Sequence, residues 1–201
     1  MTTTPLKLVL ASQSASRRAM LVAAGVPFSA QKPLVDEDAA KAALGDVPPR
    51  DLADALAELK ALKVSQREPQ ALVLGSDSLA VLEDGTILSK PRDRDEAAEH
   101  LRMMSGKRHD LVSAAVIAEG GRPVWRHVDK ARMFVRPLSY AFIEAYLDAE
   151  WPAIAGCVGC YRMEGPGVQL FSRVEGNHFT VLGMPLMPVL GYLRERQVLA
   201  A

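Results

Sequence analysis

The sequence has little of three things: cysteine, aromatic side chains and net charge. Its 201 residues include two cysteines and 5% aromatic residues, and 24 Lys and Arg balance 24 Asp and Glu. Two cysteines cannot build the disulfide framework of a small secreted domain, so a reducing environment is expected. A neutral chain also lacks the polybasic surface by which proteins bind nucleic acid or anionic membranes. We therefore expect neither a nucleic-acid polymer nor a membrane as a partner.

Targeting segments and the common nucleotide-binding motifs are missing as well. The N-terminus, MTTTPLKLVLASQS, has one lysine and a very short apolar run, which is unlike a signal peptide. The sequence has no apolar stretch as long as a membrane span, and we expect a cytoplasmic protein. It also has no Walker motif, no dinucleotide-binding glycine motif and no nucleophile elbow.

What is present is enough apolar sequence for a sizeable core, since hydrophobic residues make up 49% of the chain. Strands are predicted at 6–11, 71–74, 109–118, 123–136 and 167–174, and helices at 16–24, 49–64, 93–106, 138–150 and 185–196. Asp84-Gly85 indicates a hairpin turn, and residues 30–49 are predicted to form a loop or partial lid. We predict an α/β fold with a mixed sheet and flanking helices, in one domain over residues 1–201.

The segment LASQSASRR places hydroxyls and arginines at the start of a predicted helix. Ser12, Ser14 and Ser16 lead into it, and Arg17 and Arg18 lie in its first turn. Free N–H groups and hydroxyls at a helix N-terminus bind anions, and arginine can bind a phosphate through two hydrogen bonds. An ordinary serine cap with exposed arginines explains the same pattern equally well.

A second candidate is the segment GSDS, Gly75 to Ser78, directly after the predicted core strand. A carboxylate at the end of a strand, beside small residues, can hold a metal ion or act as a base, and Asp77 is that carboxylate. The commoner explanation of an aspartate in such a segment is a simple turn.

Lysines and a run of acidic residues form a third set. Lys60 falls near the apolar stripe of its predicted helix, and Lys90 follows a strand. Either lysine could contact phosphates, although a solvated lysine is the usual case. The run Asp36-Glu37-Asp38 is typical of a polar loop and could also supply a ligand for a divalent cation.

The cysteines and histidines carry weaker signals. Cys157 and Cys160 form a single CxxC without a second pair, which is poor evidence for a zinc site or for redox chemistry. The four histidines lack ligand spacing, and most of them are predicted to be surface or hydrogen-bonded residues.

Several segments together resemble the Maf family in the same order along nearly the whole chain. They are LASQSASRRAMLVAAG, VDE, LAELKA, LGSDS, DGTILSKP, SGKRH, GCYRMEGPG and VLGMPL. Each is weak alone, but the ordered set is specific. The resemblance implies a Maf/inosine-triphosphatase-like fold with two lobes around a cleft, and usually a homodimer.

The resemblance also implies a chemistry and a set of residues. Members hydrolyse a nucleoside triphosphate between the α and β phosphates, with a divalent cation such as Mg²⁺, Mn²⁺ or Co²⁺. Matching by motif makes Asp77 the proton acceptor and a metal ligand, and Glu37 a metal or water ligand. The phosphate-contacting positions correspond to Ser14, Arg17, Lys60 and Lys90.

Three positions distinguish substrate types within the family, and they correspond here to Ser16, Ser78 and Glu164. Ser16 and Ser78 match neither type, whereas Glu164 followed by glycine resembles the 7-methyl-GTP type. Ala15 and Ser89 depart from the usual proline and glycine of their motifs. We expect 7-methyl-GTP as the substrate. The alternatives are a dTTP/UTP or broad-specificity pyrophosphatase, and a non-catalytic nucleotide-binding regulator of cell division.

Overall fold

The structure is a computed structural model and describes residues 6–200, so the prediction that the N-terminus is not a signal peptide falls partly outside it. The helices within this range are α1 Ala15–Ala23, α2 Glu37–Leu44, α3 Pro49–Ser65, α4 Arg94–Met104, α5 Tyr140–Glu150, α6 His178–Val181 and α7 Leu186–Glu195, with a 3₁₀ helix at Pro166–Leu170. The strands are β1 Lys7–Ala11, β2 Ser29–Ala30, β3 Ala71–Leu82, β4 Ile87–Leu88, β5 Arg108–Glu119, β6 Arg122–Val135 and β7 Phe171–Glu175.

The strands form one sheet in the order β2-β1-β3-β5-β6-β7, with β4 pairing to β3. β1 runs parallel to both neighbours, and Val9 lies opposite Ser29 on one side and Val73 on the other. β3 pairs antiparallel with β4, and β6 pairs antiparallel with β7. A sheet that holds both kinds of pair, with helices around it, confirms the predicted mixed α/β fold class.

The chain divides into two compact units. The first unit comprises the described residues up to Asp77, then Ser113–Asp129 and the residues from Gly183 onward. The second comprises Ser78–Val112 and Lys130–Leu182. Three strands, β3, β5 and β6, contribute residues to both units.

Each unit has apolar packing of its own. In the first, side chains of β1, α3 and the start of β3 form a buried cluster: Val9, Ala11, Val64, Ala71 and Val73. In the second, α4, α5 and the end of β6 supply much of a larger cluster that includes Leu101, Met133 and Leu147. Burial of such side chains is the main favourable contribution to folding.

Most predicted elements are confirmed. The serine-led helix, the helices after Pro48, Asp93 and Ser139, and the C-terminal helix lie within one or two residues of their predicted bounds, as expected for helix ends. Gly85 has φ +90° in the predicted hairpin turn between β3 and β4. No helix between residues 6 and 200 combines the length and apolar character needed to cross a membrane.

The prediction of a loop over residues 30–49 is wrong, because α2 lies within this segment and β2 ends at its first residue, while the alternative of a partial lid stays a prediction. Asp36 caps α2, and its side chain accepts a hydrogen bond of 3.0 Å from the Ala39 amide. Two acidic residues in the first turn add a favourable interaction with the helix dipole. Since α2 has no buried residue, it produces no apolar stripe that a sequence pattern could detect.

The prediction that GSDS follows the strand is also wrong, since β3 continues through it to Leu82. Small polar residues resemble a turn in sequence, but Gly75, Ser76 and Asp77 are buried here and Ser78 is half-buried. The Ser76 hydroxyl oxygen lies 2.8 Å from the Ala114 carbonyl oxygen and is fully buried. Asp77 therefore lies inside a strand rather than in a turn.

The region 167–174 matches only in part and contains a further short helix nearby. The 3₁₀ helix Pro166–Leu170 occupies the first half, and β7 begins at Phe171. Helix α6, at His178–Val181, was not predicted because four residues are too short for a periodic pattern.

Candidate functional site

The start of α1 is organised by two serines. Ser14 is the N-cap, and its hydroxyl accepts a hydrogen bond of 3.4 Å from the Arg17 amide. The Ser12 hydroxyl accepts one of 3.1 Å from the Ser14 amide and lies 3.5 Å from Arg17 Nη1. The first turn contains no acidic residue, so it keeps the positive end of the helix dipole available to an anion.

Arg17 is half-buried and oriented by a backbone carbonyl. Its Nε donates a hydrogen bond of 2.9 Å to the carbonyl oxygen of Gly183. Burial lowers the pKa of the Arg17 guanidinium, and the charges of Asp77 and Glu37 act in the opposite direction. Arginine remains protonated in proteins, so the first unit places a cation within the field of both carboxylates.

Lys60, Asp77 and Glu37 form an ion-paired triad, which is the name used below for these three residues. Lys60 Nζ lies 2.5 Å from Asp77 Oδ1 and 2.8 Å from Glu37 Oε1. The Lys60 and Asp77 side chains are 6% and 7% exposed, whereas Glu37 is 31% exposed. The structure thus brings together three predicted site residues from α2, α3 and β3.

Gly75 explains why Lys60 and Asp77 can meet. A Cβ atom at Gly75 would lie 2.2 Å from the Ala57 carbonyl oxygen and 2.6 Å from the Ala61 amide nitrogen. Only glycine therefore allows α3 to approach β3 so closely. Lys60 lies on α3 between these two contacts, and Asp77 lies two residues after Gly75 on the same face of the strand.

Two residues near the triad were not predicted as site residues. Ser76 Oγ lies 2.8 Å from the Ala114 carbonyl oxygen and 3.1 Å from that of Gly183, and its single proton can serve one of them at a time. The Gly183 carbonyl also accepts the bond from Arg17. Gly183 has φ +101°, which favours glycine, and its position in VLGMPL was the available signal.

The donors of the triad fit a hard divalent cation. Mg²⁺ is usually held by one or two carboxylates together with waters and substrate phosphates. Glu37 and Asp77 supply two carboxylates whose oxygens face the same position, and Lys60 Nζ occupies that position in the structure. Among residues 6–200 no group of three or more His, Cys, Asp or Glu could hold a metal. A cation bound by Glu37 and Asp77 would take its other ligands from water and phosphate, and would neutralise charge on the phosphates.

The remaining predicted residues are Ser16, Ser78, Lys90 and Glu164. Ser16 is the second residue of α1 and is half-buried. Ser78, Lys90 and Glu164 belong to the second unit, where Lys90 and Glu164 are exposed. Ser78 follows Asp77 in β3 and therefore faces the other side of the sheet. Their proposed contacts with substrate stay predictions.

The cysteines are free thiols, with Cys157 half-buried and Cys160 buried. Cys160 is buried, and its Sγ lies 3.4 Å from His100 Nδ1. Burial raises the pKa of the Cys160 thiol to about 12 and also raises the pKa of Cys157. Because the thiolate is the reactive form and the metal ligand, this environment disfavours both zinc binding and redox chemistry.

Two histidines, His100 and His109, are buried rather than on the surface. His109 Nε2 lies 2.7 Å from the Tyr161 hydroxyl oxygen, while no residue between 6 and 200 is a hydrogen-bond partner of the buried His109 Nδ1. His109 therefore agrees with the expectation of a hydrogen-bonded histidine at Nε2 and differs from it at Nδ1.

Comparison with known proteins places this chain in a family. The family profile described as Maf-like protein matches residues 7–196. A nucleoside triphosphate pyrophosphatase of Sphingopyxis alaskensis is 51% identical over 93% of this chain and 96% of its own length. Nucleoside triphosphate pyrophosphatase 1 of Jannaschia sp. is 50% identical over 96% of this chain and 98% of its own length. A nucleoside triphosphate pyrophosphatase of Caulobacter vibrioides is 49% identical, with 93% and 94% covered. The chain therefore belongs to the Maf family.

Proposed function

We propose that the protein hydrolyses a nucleoside triphosphate to a nucleoside monophosphate and pyrophosphate. The observation that carries the proposal is the ion-paired triad, with Lys60 Nζ within 2.8 Å of both carboxylates. The names of the relatives support it, because they describe the same activity. The triad and Arg17 combine fixed cations with carboxylates, as a triphosphate substrate requires.

In the proposed reaction a water molecule attacks the α-phosphorus. A new P–O bond forms to that water, the bond to the α–β bridging oxygen breaks, and pyrophosphate leaves with the bonding electrons. Asp77 accepts the proton of the water, while Arg17 and Lys60 balance the charge of the phosphates. A divalent cation held by Glu37 and Asp77 would supply further charge neutralisation. Ser14 and Lys90 are proposed phosphate contacts by motif.

We propose 7-methyl-GTP as the preferred substrate, on the basis of Glu164. A carboxylate only accepts hydrogen bonds, and the guanine edge offers two adjacent donors, N1–H and N2–H₂. Methylation at N7 adds a positive charge that a nearby carboxylate favours. Uracil and thymine offer one donor between two carbonyl oxygens, so a carboxylate would face at least one lone pair. Ser16 and Ser78 complete the proposed specificity set, and a homodimer and a cytoplasmic location stay predictions.

The test is a pyrophosphate-release assay with and without a chelator, using 7-methyl-GTP, dTTP, UTP and the common purine triphosphates. Chromatography should find a monophosphate and pyrophosphate, formed only with a divalent cation. Nucleoside diphosphate with free phosphate, or full activity in the chelator, would refute the proposed reaction. Nucleotide binding without turnover by any of these substrates would favour the regulator instead. A higher kcat/KM for dTTP or UTP than for 7-methyl-GTP would refute only the proposed preference for the 7-methylguanine base, and the proposed reaction would stand.

A further inference from the structure

A buried carboxylate in the second unit is fully engaged by one arginine. Glu150 is the last residue of α5, and its side chain is 4% exposed. Arg162 Nε donates to Glu150 Oε2 at 3.0 Å, and Arg162 Nη2 donates to Glu150 Oε1 at 3.1 Å. Two parallel bonds fix the direction of the guanidinium as well as its distance. The Arg162 side chain is 41% exposed, so the pair reaches the surface of the unit at its arginine end.

The backbone of residues 165–167, directly after Arg162, packs closely against Arg162 and Glu150. The Gly165 amide donates a hydrogen bond of 3.3 Å to the Arg162 carbonyl oxygen. A Cβ atom at Gly165 would lie 3.6 and 3.7 Å from the two carboxylate oxygens of Glu150. At Gly167 a Cβ atom would lie 2.4 Å from the Arg162 carbonyl oxygen and 2.8 Å from its amide nitrogen. The backbone on the C-terminal side of Glu164 therefore packs against Arg162 and Glu150.

Charged groups of the second unit gather around the same loop. The charges of four nearby residues act on the pKa of the Cys157 thiol: Glu164, Arg162, Glu150 and Lys90. The residue proposed to bind the base and one proposed to bind phosphate thus lie in one neighbourhood of this unit. Glu164 itself is exposed and is available to a ligand.

We propose that Glu150 and Arg162 are positioning residues that hold the loop 163–165, and with it Glu164, in the orientation that selects the base. This inference rests on the proposed role of Glu164. Selectivity between bases depends on hydrogen bonds whose donors and acceptors are held within a fraction of an ångström. Glu164 has an exposed side chain on a short loop, so its position depends on how firmly the adjacent backbone is anchored. The bidentate pair provides that anchor.

The test compares Glu150→Gln with a matched control on the same helix. Glu144 also lies on α5 and pairs with an arginine, Arg94, at 2.8 Å. Glu144→Gln therefore removes the same charge from the same helix without touching the loop. Arg162→Lys keeps the positive charge but loses the two-bond geometry. Because Arg162 is partly exposed, this second variant keeps the test available should Glu150→Gln fail to fold.

The first measurement is amide hydrogen exchange of the segment 163–167 in the free protein. We expect exchange at least about tenfold faster in Glu150→Gln and Arg162→Lys, since the loop opens locally without its anchor. Glu144→Gln should match the wild type in this segment. Equal exchange in all four proteins would overturn the inference, whatever the enzyme acts on.

The second measurement is kcat and KM for 7-methyl-GTP and UTP. We expect Glu150→Gln to lower kcat/KM for 7-methyl-GTP by about tenfold to a hundredfold, mainly through KM, with UTP much less affected. Equal losses for both substrates would indicate a merely structural role and overturn the inference. Glu164→Gln serves as the reference variant. If Glu164→Gln leaves the order of kcat/KM among the substrates unchanged while amide hydrogen exchange becomes faster in Glu150→Gln, the proposed contact of Glu164 with the nucleobase is wrong. In that case the anchoring of the loop by Glu150 and Arg162 stands.

Discussion

The first unit pairs an acidic and a basic side chain in its interior, whereas burial in the second unit shifts the pKa values of several titratable side chains toward the neutral form. In the first, Lys60 and Asp77 are both nearly inaccessible and form an ion pair. In the second, burial raises the pKa of the Tyr161 hydroxyl and of the Cys160 thiol, and lowers the pKa of His109 to about 4. Burial penalises the charged form in both units, and a close partner of opposite charge offsets the penalty.

This difference separates two uses of buried polar side chains. The triad of the first unit is costly to bury and would provide the charges for the proposed phosphate chemistry. The buried tyrosine, cysteine and histidine of the second unit complete an apolar core through neutral hydrogen bonds. Glu150 is the exception in the second unit, because it stays paired with Arg162.

The strongest test of the comparison is Asp77→Asn. Asparagine keeps the size of the side chain but cannot accept a proton, so we expect turnover to fall by about 10²–10⁴ while the fold is retained. The measurement is kcat for pyrophosphate release, with circular dichroism as the check on folding. Asp38→Asn removes an exposed acidic charge from the same unit and serves as the control. Activity of Asp77→Asn within a few-fold of the wild type would mean that Asp77 is not the proton acceptor for the attacking water.

A second test removes the cation of the triad. Lys60→Met leaves Asp77 buried without its ammonium, and we expect the free energy of unfolding to fall by about 3 kcal/mol. Urea denaturation at neutral pH measures the change. Lys63→Met, an exposed position on the same helix, should change it by less than about 0.5 kcal/mol. Similar small effects in both variants would contradict the view that the first unit depends on paired charges.

A third test concerns the pH dependence expected from the second unit. Because the pKa of His109 is about 4 in the folded protein, the unfolded chain takes up a proton first as the pH falls below about 6.5. We expect this residue to reduce stability by about 2 kcal/mol between pH 7 and pH 5. His109→Gln cannot titrate and keeps a hydrogen-bonding group near Tyr161, so it should flatten the dependence in this range.

A comparison variant is His127→Asn, which replaces a half-buried histidine of the first unit instead of the buried one in the second. The measurement is the denaturant midpoint of the wild type, His109→Gln and His127→Asn at several pH values between about 4.5 and 7. A dependence that persists unchanged in His109→Gln would assign the titration to another group.

The smallest effect is expected at the CxxC. Cys157→Ser should change kcat/KM by less than about threefold, since the Cys157 thiol is kept protonated by burial and is outside the proposed chemistry. Metal analysis of the purified wild type should find no zinc. Bound zinc, or a large loss of activity in Cys157→Ser, would reverse the assignment of these cysteines to packing.

Much of the fold was predictable because its helices and strands carry local signals. The cap residues Ser14, Asp93 and Ser139 each precede a helix at the predicted place. α2 was missed because it is exposed, and β3 was cut short because Gly75, Ser76 and Asp77 resemble a turn. At β3 tertiary packing, not local preference, decided the outcome, whereas α2 is stabilised locally by its Asp36 cap and acidic first turn.

The sequence by itself determined the fold class, the family and the identity of the candidate residues Arg17, Lys60 and Asp77. Those conclusions depend on ordered motifs and periodic patterns, which are properties of the chain alone. Only the tertiary structure decided that Lys60 bridges Asp77 and Glu37, and that Arg162 engages Glu150. The physical reason is that both contacts depend on close approach between segments distant in sequence. At Gly75 that approach leaves no room for even one methyl group, and no local pattern encodes it.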